Sequence, residues 1–243
     1  IAQSKTITIH YVYADGSGTA APDVPVSGII GEAYSKTSPA ITNCEPNQTT
    51  VSGTLATDSS DVTVTYTRDT AHADIIYVDD DNNEQIVPNA TQHETGGAGA
   101  TTDFNLIVPA NYVMVTPATS TAITFLNDSA TNNTADNVTI HLKHDTKTVT
   151  PSQPQVPGDK IPGTNVNWPI GTNADDFNRT VTETVQYVYA GGGKAAANQT
   201  QSVNFQRAAV VDDVTGDLLG YLPVNQITAY KADPTSVTLS PTD

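Results

Sequence analysis

The sequence Ile7-Thr8-Ile9-His10-Tyr11-Val12-Tyr13 returns later in the chain as Asp74-Ile75-Ile76-Tyr77-Val78-Asp79 and again as Thr184-Val185-Gln186-Tyr187-Val188-Tyr189. Each copy combines β-branched residues with tyrosine, which is typical of a β-strand, and each runs straight into a turn. The central tyrosines lie 66 and 110 residues apart. A strand repeated at this spacing predicts small modules in series, each opening with a hairpin.

The turns and the later strands of the modules support this organisation. Asp15-Gly16 follows the first copy, an acidic run at 80–83 follows the second, and three glycines at 191–193 follow the third. Alternating β-branched segments at 62–66 and 138–142 stand near the ends of the first two modules. We predict that an opening strand and a closing strand bracket each of these modules.

The module boundaries are set by a proline-rich stretch. Prolines recur every three to five residues between 148 and 163, at Pro151, Pro154, Pro157 and Pro162. This spacing disfavours both helix and sheet and favours an extended spacer. We therefore predict modules at 1–69, 70–147 and 164–243, with a linker at 148–163. No segment sustains helical periodicity, so the sequence predicts a β-rich α+β fold class.

The composition excludes several classes of partner. Lys and Arg number 10 against 26 Asp and Glu, which gives a net charge of −16. Nucleic acid and anionic membranes are disfavoured as partners, because binding phosphate requires clustered cations. No apolar run approaches the roughly 18 residues of a membrane span, and the single Cys44 excludes an internal disulfide. We expect the chain to act as a monomer.

The first residues contain neither an initiator Met nor an apolar signal core. We expect the chain to be part of a longer protein whose export signal and anchor lie elsewhere. The many Thr, Asn and Ser residues, together with the absence of disulfides, favour an extracellular protein on a bacterial surface.

The acidic turn of the second module is a candidate calcium site. Asp79, Asp80, Asp81 and Asn83 place oxygen ligands at a hairpin tip, and Ca²⁺ takes six to eight such ligands. The run lacks the regular Asp-x-Asp spacing of a calcium loop, so a solvated turn is the alternative. The aspartates at 212, 213 and 217 leave the same two alternatives open.

The remaining candidate chemistry is weaker. His141 and His144 lie three residues apart, and on a strand this spacing directs the two side chains to opposite faces, which disfavours a shared zinc ion.

No Ser or Cys lies in a glycine-rich elbow, so we predict that the chain is not an enzyme. Cys44 lies near Gln48, which raises an internal thioester as an alternative to a free thiol.

Aromatic side chains are the usual platforms for sugar rings. The candidates for glycan binding are Trp168, Tyr13 and Tyr189. As the alternative, Trp168 plugs the junction between the linker and the third module. Tyr13 and Tyr189 share the parity of the central tyrosines of their strands, so the alternative for both is an inward-facing position.

Several of these phrases resemble a known family. Residues 9–16, Pro25-Val26-Ser27-Gly28 and Val64-Thr65-Tyr66 resemble the MucBP (mucin-binding protein) domain over nearly all of the first module. Residues 70–243 resemble a mucus-binding (Mub) repeat of lactobacillus-type surface proteins. The phrases that carry this second resemblance are Thr139-Ile140-His141-Leu142-Lys143-His144, Trp168-Pro169, residues 179–189, Val203-Asn204-Phe205-Gln206-Arg207 and residues 211–216.

The resemblance implies tandem β-grasp-like (ubiquitin-like) modules in an elongated array. It also implies a cell-wall-attached adhesin that binds mucin glycoproteins, and some repeats of this kind bind immunoglobulin. A structural stalk that only spaces another domain, or capture of immunoglobulin through a sheet edge, are the alternatives. Gly191-Gly192-Gly193 replaces the acidic turn expected after Tyr189, and the segment after Gly216 departs from the usual repeat.

Overall fold

The computed structural model describes residues 2–126 and 134–224. Strands dominate these ranges, and the single α-helix within them, α1 (Ala174–Phe177), has four residues. This confirms the strand-rich architecture predicted from the sequence. The chain divides into two compact units, Ile1–Val108 with Met114–Leu142, and Pro109–Val113 with Lys143–Asp243. Within the described residues, no helix is long and apolar enough to cross a membrane.

The first module forms a mixed sheet with the strand order β2-β1-β6-β4 and a separate β3-β5 ribbon. Its strands are β1 (Ser4–Tyr13), β2 (Thr19–Ile29), β3 (Ala33–Thr37), β4 (Cys44–Pro46), β5 (Thr50–Thr54) and β6 (Val62–Arg68). β1 and β2 form the hairpin predicted around Asp15-Gly16, and Gly16 adopts the positive φ of 76° that this turn requires.

The first module has a hydrophobic core formed by its own residues. A cluster of buried side chains joins residues of β1, β2, β5 and β6 and contains no residue beyond Tyr66. Ile9 and Tyr11 of β1 are fully buried. The alternation of buried and exposed residues along β1 therefore directs the apolar face of the strand inward.

The second module repeats the arrangement of the opening and closing strands. Its elements are β7 (Thr70–Asp79), a 3₁₀ turn (Asp80–Asn82), β8 (Gln85–Ile86), β9 (Gln92–Gly97), β10 (Thr101–Asn105), β11 (Tyr112–Met114), β12 (Ser120–Thr124), a second 3₁₀ turn (Thr134–Asp136) and β13 (Val138–His144). β7 pairs antiparallel with β8 and β9, while β10 and β12 form a separate ribbon.

The closing strands predicted at 62–66 and 138–142 are present, and they pair directly with the opening strands. β6 runs parallel to β1 with Tyr11 opposite Val64, and β13 runs parallel to β7 with Tyr77 opposite Ile140. The register is the same in both modules, because each central tyrosine faces the third residue of the closing strand. The parallel direction of these pairs is not visible in the sequence.

The second compact unit contains a sheet built on one long strand. Its elements are β14 (Thr146–Val149), α1, β15 (Asn178–Val185), β16 (Gln199–Asp212) and β17 (Leu218–Pro223). The first half of β16 pairs with β15, and its second half lies between β14 and β17. The turn predicted at 213–217 joins β16 to β17. The sequence also predicts a last strand at Val237-Thr238-Leu239, which lies outside the described residues.

The third copy of the tyrosine sequence differs from the other two. The sequence predicts a strand over 184–189, but β15 ends at Val185 and Val188 makes only an isolated bridge to Lys194. Gly192 and Gly193 have φ values of 92° and 91°, which non-glycine residues avoid in a strand. The glycine turn therefore takes the chain out of the sheet close to Tyr187.

The proline-rich stretch at 148–163 is folded. Val149 and Ile161 are buried in one cluster with Trp168, Phe177 and residues of β16. The backbone of Trp168 donates to Asp159 O at 2.8 Å and accepts from Gly158 N at 2.9 Å. The segment for which the sequence predicts an extended spacer thus contributes to the core of the second unit.

Candidate functional site

Trp168 lies in the core of the second unit, with 7% of its surface exposed. This position corresponds to the alternative of a plug between the proline-rich stretch and the third module. Glycan binding by Trp168 stays a prediction, and it would need the indole to leave this cluster.

Tyr13 has one ring face occupied. The Arg68 guanidinium lies 3.6 Å from the ring centroid, in cation–π contact. Arg68 Nε also pairs with Asp15 Oδ2 at 3.1 Å, and Arg68 Nη1 donates to Ala98 O at 2.8 Å. Arg68 therefore fastens the first module to the second, and a shallow groove of about 490 Å³ runs beside it towards residues 99–102.

Tyr189 is the most accessible of the three predicted glycan residues, with 38% of its surface exposed. Its backbone closes the glycine turn, because Tyr189 N donates to Gly193 O at 3.1 Å. Tyr13 belongs to the first compact unit, whereas Trp168 and Tyr189 belong to the second.

The acidic run of the second module is divided between two tasks. The Asp79 carboxylate is buried and accepts from Asp81 N at 3.1 Å, which caps the 3₁₀ turn. Asp80 Oδ1 instead contacts His141 Nδ1 at 2.6 Å. Asn83 adopts a left-handed backbone with φ 53°. Calcium binding by Asp79, Asp80, Asp81 and Asn83 stays a prediction.

Carboxylates pair with His10, His93, His141 and His144. His10 lies 2.8 Å from Asp23, and His93 lies 2.7 Å from Asp74. The hydrogen bond that the Asp80 carboxylate accepts raises the pKa of His141, with desolvation opposing it, and the bond to Asp23 raises the pKa of His10 in the same way. Sequence analysis singled out His141 but not its carboxylate partner.

The aspartates at 212 and 213 serve the fold of the second unit. Asp212 accepts from Val214 N at 2.7 Å and from His144 Nδ1 at 2.6 Å. Burial opposes the ionisation of Asp212, but hydrogen bonds from Thr215 N, His144 and Val214 N outweigh it and lower its pKa. Asp213 pairs with Lys147 at 2.5 Å. The turn therefore uses the Asp212 carboxylate, and the ion pair with Lys147 uses the Asp213 carboxylate.

A groove in the second unit was not predicted from the sequence. It has a volume of about 390 Å³ and lies where α1 meets the start of the β15–β16 pair. The residues that line it are Asp175, Asp176, Phe177, Asn178, Arg179, Phe205, Gln206 and Arg207. We call it the Phe205 groove.

The Phe205 groove combines an exposed aromatic ring with charged groups. Phe205 is 38% exposed and lies directly opposite Arg179 in the β15–β16 register, so both side chains leave the same face. Val181 and Val203 pair on the same face two residues further along the strands. An apolar surface bordered by a guanidinium is the result.

The floor of the groove is held rigidly. Arg207 Nε donates to Asp176 O at 2.8 Å, and the Arg207 guanidinium stacks 3.5 Å from the Tyr221 ring centroid. The Asp176 carboxylate accepts from Asn173 N and completes the capping box of α1. Among the described residues, the side chains of Asp175 and Arg179 have no hydrogen-bond partner, so they are available to a ligand.

Sequence reasoning missed this groove because Phe205 looks like an ordinary strand residue. The phrase Val203-Asn204-Phe205-Gln206-Arg207 alternates apolar and polar residues without showing which face is covered. Only the pairing of Phe205 with Arg179 brings the two together, and pairing register is a long-range property.

Cys44 is a half-buried free thiol. Its partial burial raises the pKa of the thiol, an effect that the nearby Arg68 counteracts. A thiol with a raised pKa is mostly protonated and a poor nucleophile at neutral pH.

Comparison with known proteins identifies three consecutive domains. Residues 6–67 match the MucBP domain, residues 71–144 match a mucin binding domain, and residues 172–241 match a Muc B2-like domain. These matches confirm the resemblance seen in the sequence. No curated protein matches the chain significantly.

Solved structures give weaker similarities. The type 2 repeat of the mucus binding protein MUB from Lactobacillus reuteri is 26% identical over 61% of this chain and 72% of that chain, with a TM-score of 0.27. Mub-RV is 21% identical over 62% and 70%, with a TM-score of 0.26. The Bacillus anthracis TIE protein is 9% identical over 92% of this chain and 48% of that chain, with a TM-score of 0.34. TM-scores this low do not establish a common overall fold.

Proposed function

We propose that this chain, which consists of consecutive MucBP, mucin binding and Muc B2-like domains, is the mucin-binding part of an adhesin on a bacterial surface. The single observation that carries the proposal is the succession of three domains of mucus-binding families in one chain. The activity is binding without catalysis. Its place is outside the cell, with attachment to the cell wall through another part of the protein.

Adhesion in this proposal comes from many weak contacts. A second binding event on the same mucin molecule is intramolecular, so linking modules raises avidity by about 10²–10⁴ without any new contact. Tandem β-grasp-like modules are part of this proposal. It is supported by the two opening hairpins, each of which has its first strand paired in parallel with a closing strand.

We assign glycan contact to the Phe205 groove. The exposed ring of Phe205 offers a flat apolar surface of the kind on which sugars stack. The Asp175 carboxylate can accept from sugar hydroxyls, and Arg179 can donate to hydroxyls or to an acidic sugar. The rigid floor lowers the entropic cost of binding, because Arg207 and Asp176 are already fixed.

The charges of the groove bear on the repulsion between this acidic protein and acidic glycans. The chain carries a net charge of −16, which repels acidic mucin glycans. Screening in about 0.15 M salt limits this repulsion to roughly 8 Å, so local charge decides. In the groove, Arg179 and Arg207, two of the ten cationic side chains of the protein, offset the charges of Asp175 and Asp176, so this part of the surface carries no formal net negative charge. Tyr189 is proposed as a further aromatic contact.

The test is binding of the chain to immobilised mucin, desialylated mucin, fully deglycosylated mucin and immunoglobulin G. We expect binding to mucin that is lost on deglycosylation. Phe205→Ala should weaken it about tenfold, equivalent to roughly 1.4 kcal/mol. The matched control is Leu219→Ala, because Leu219 is an exposed apolar residue of β17, 57% exposed, outside the groove.

Each other outcome overturns a defined part of the proposal. Unchanged mucin binding by Phe205→Ala removes the groove but keeps the function. Binding to immunoglobulin G that ignores glycans indicates capture through a sheet edge. Binding to none of these surfaces indicates a spacer, a function that the Arg68 contacts between the first two modules favour.

A further inference from the structure

Three metal-ligating side chains meet at the tip of the β7–β8 hairpin. The parallel register places His141 of β13 beside Val78 of β7, two residues before Asp80. Glu84 lies at the other end of the same turn, immediately before β8. One ligand atom from each of Asp80, Glu84 and His141 lies within 4.8 Å of the other two. We call these residues the hairpin-tip triad.

The donor set of the triad selects a class of metal. Ligand bonds of about 2.0–2.2 Å to imidazole nitrogen and carboxylate oxygen place neighbouring ligand atoms roughly 3–4 Å apart in a tetrahedral site, so the triad needs only small side-chain adjustments. An imidazole nitrogen suits zinc and similar transition metals, whereas calcium takes six to eight oxygens. The side chains of His141 and Asp80 are 46% and 33% exposed, which leaves room for water at the remaining positions.

The fold itself does not require these residues. The first module has the same parallel pair of strands, but Thr65 faces Val12 where His141 faces Val78. Ala14 follows Tyr11 by three residues, as Asp80 follows Tyr77. The first module thus forms the same strand pair without the charged groups, so the triad is an addition to the shared framework.

The backbone of the turn also indicates that the triad is an addition to the shared framework. Glu84 has φ 56°, a conformation that non-glycine residues rarely adopt. The hairpin turn of the first module uses Gly16 and Gly18 at its positive-φ positions. In the second module a glutamate occupies such a position, and one of its carboxylate oxygens lies within 4.8 Å of a ring nitrogen of His141.

We propose that Asp80, Glu84 and His141 bind a divalent transition metal ion of the zinc class. The ion joins the β7–β8 turn to the closing strand β13 and completes its coordination with water. The ring nitrogen of His141 that binds the ion carries no proton in the complex, so a proton held there passes to the other ring nitrogen or, from the imidazolium form, to solvent. This site extends beyond mucin binding, and it does not depend on the Phe205 groove, which belongs to the other compact unit.

The experiment uses the whole chain, freed of metal by dialysis against EDTA. Calorimetric titration with Zn²⁺ measures affinity, and titration with Co²⁺ gives a visible absorption band that reports the ligand geometry. Glu84→Gln and His141→Gln are each expected to weaken Zn²⁺ binding roughly 100-fold and to abolish the Co²⁺ band of this site. Glu84→Gln changes an exposed turn residue, so it keeps the test valid if His141→Gln disturbs the strand pair.

The matched control is His93→Gln. His93 also pairs with an aspartate, Asp74, at 2.7 Å, but no third ligand from the described residues joins that pair. Its removal should leave Zn²⁺ affinity unchanged.

Hydrogen exchange provides a second measurement. Zn²⁺ should increase the protection of β8 and β13 amides in the unaltered chain but not in Glu84→Gln, because a ligand stabilises the folded state that binds it. The proposal is overturned if both triad variants bind Zn²⁺ as the unaltered chain does. It is equally overturned if Ca²⁺ binds at these residues and Zn²⁺ does not.

Discussion

The first two modules share one framework and fill it differently. In both, a fully buried tyrosine in the opening strand faces the third residue of a parallel closing strand. Tyr11 packs edge-on against Tyr66 with ring centroids 6.2 Å apart, and within the described residues its hydroxyl has no hydrogen-bond partner. Tyr77 donates to Gln92 Oε1 at 2.5 Å and accepts from Ile107 N at 2.9 Å. Two modules with the same strand pairing can therefore differ in the side chains of their interior and of their hairpin tip.

The largest expected effect tests whether the framework is shared. Ile9 and Ile75 each lie two residues before the central tyrosine and are fully buried. Replacing either with Ala should cost about 2–5 kcal/mol, because it leaves a cavity in the core. Hydrogen exchange should show lost protection in β1 and β6 for Ile9→Ala, and in β7 and β13 for Ile75→Ala. Loss across both modules from either change would mean that they unfold as one.

The next largest effect is a difference between the two modules in the stability lost when a glycine is replaced by alanine. A Cβ on Gly96 would lie 2.1 Å from Cε2 of the fully buried Phe125 ring, so Gly96→Ala forces the ring to move. We expect a cost of about 1–3 kcal/mol from overpacking. A Cβ on Gly28 of the first module meets the end of the Glu32 side chain at 2.6 Å and Leu55 Cδ1 at 2.9 Å, and the ends of these two side chains can shift more readily than the Phe125 ring.

The comparison variant is therefore Gly28→Ala. Its cost should be smaller than that of Gly96→Ala, as measured by denaturant unfolding monitored by hydrogen exchange in each module. Equal costs would show that the two interiors respond alike.

The tyrosine hydroxyls give a smaller contrast. Tyr77→Phe should cost about 1–2 kcal/mol, because Gln92 and Ile107 N lose a shared partner. Tyr11→Phe should be close to neutral, since it removes a buried hydroxyl that has no partner among the described residues. Thermal unfolding of each variant measures the difference, and a larger loss in Tyr11→Phe would contradict the contrast.

The smallest effect concerns the exposed histidines of the two modules. Asp23 raises the pKa of His10 and Asp80 raises that of His141. Because the folded pKa lies above the unfolded value of about 6.5, each pair stabilises fully below that value and loses its effect as the pH rises through the folded pKa.

Titration followed by NMR of the imidazole protons should give pKa values above 6.5 for both histidines. His10→Gln and His141→Gln should each remove one part of this pH dependence of stability. A pKa at or below 6.5 for either residue would contradict the expectation for that pair.

Much of the framework could be predicted from the sequence. The repeat led by Tyr11 and Tyr77, the hairpin at Asp15-Gly16 and the two closing strands follow from alternation and turn chemistry, which are local. The third copy is different, because β15 ends at Val185 and a turn with positive-φ glycines follows Tyr189. The proline-rich stretch also differs, since its apolar residues Val149 and Ile161 find a core formed by distant strands.

The candidate sites depended on tertiary structure. Trp168 is a reasonable aromatic platform in the sequence but is buried against Ile161 and Phe177. The Phe205 groove and the hairpin-tip triad each require residues that are distant in sequence to meet through a particular strand register.

The sequence by itself determined that this chain is a series of small strand-rich modules with a strongly acidic composition. Only the tertiary structure decided which side chains face one another, such as Arg179 with Phe205 and His141 with Asp80. The physical reason is that side chains alternate between the two faces of a strand, and this period of two residues can be read from a short stretch of sequence. The register and direction of pairing, in contrast, are fixed by the burial of apolar faces across the whole sheet.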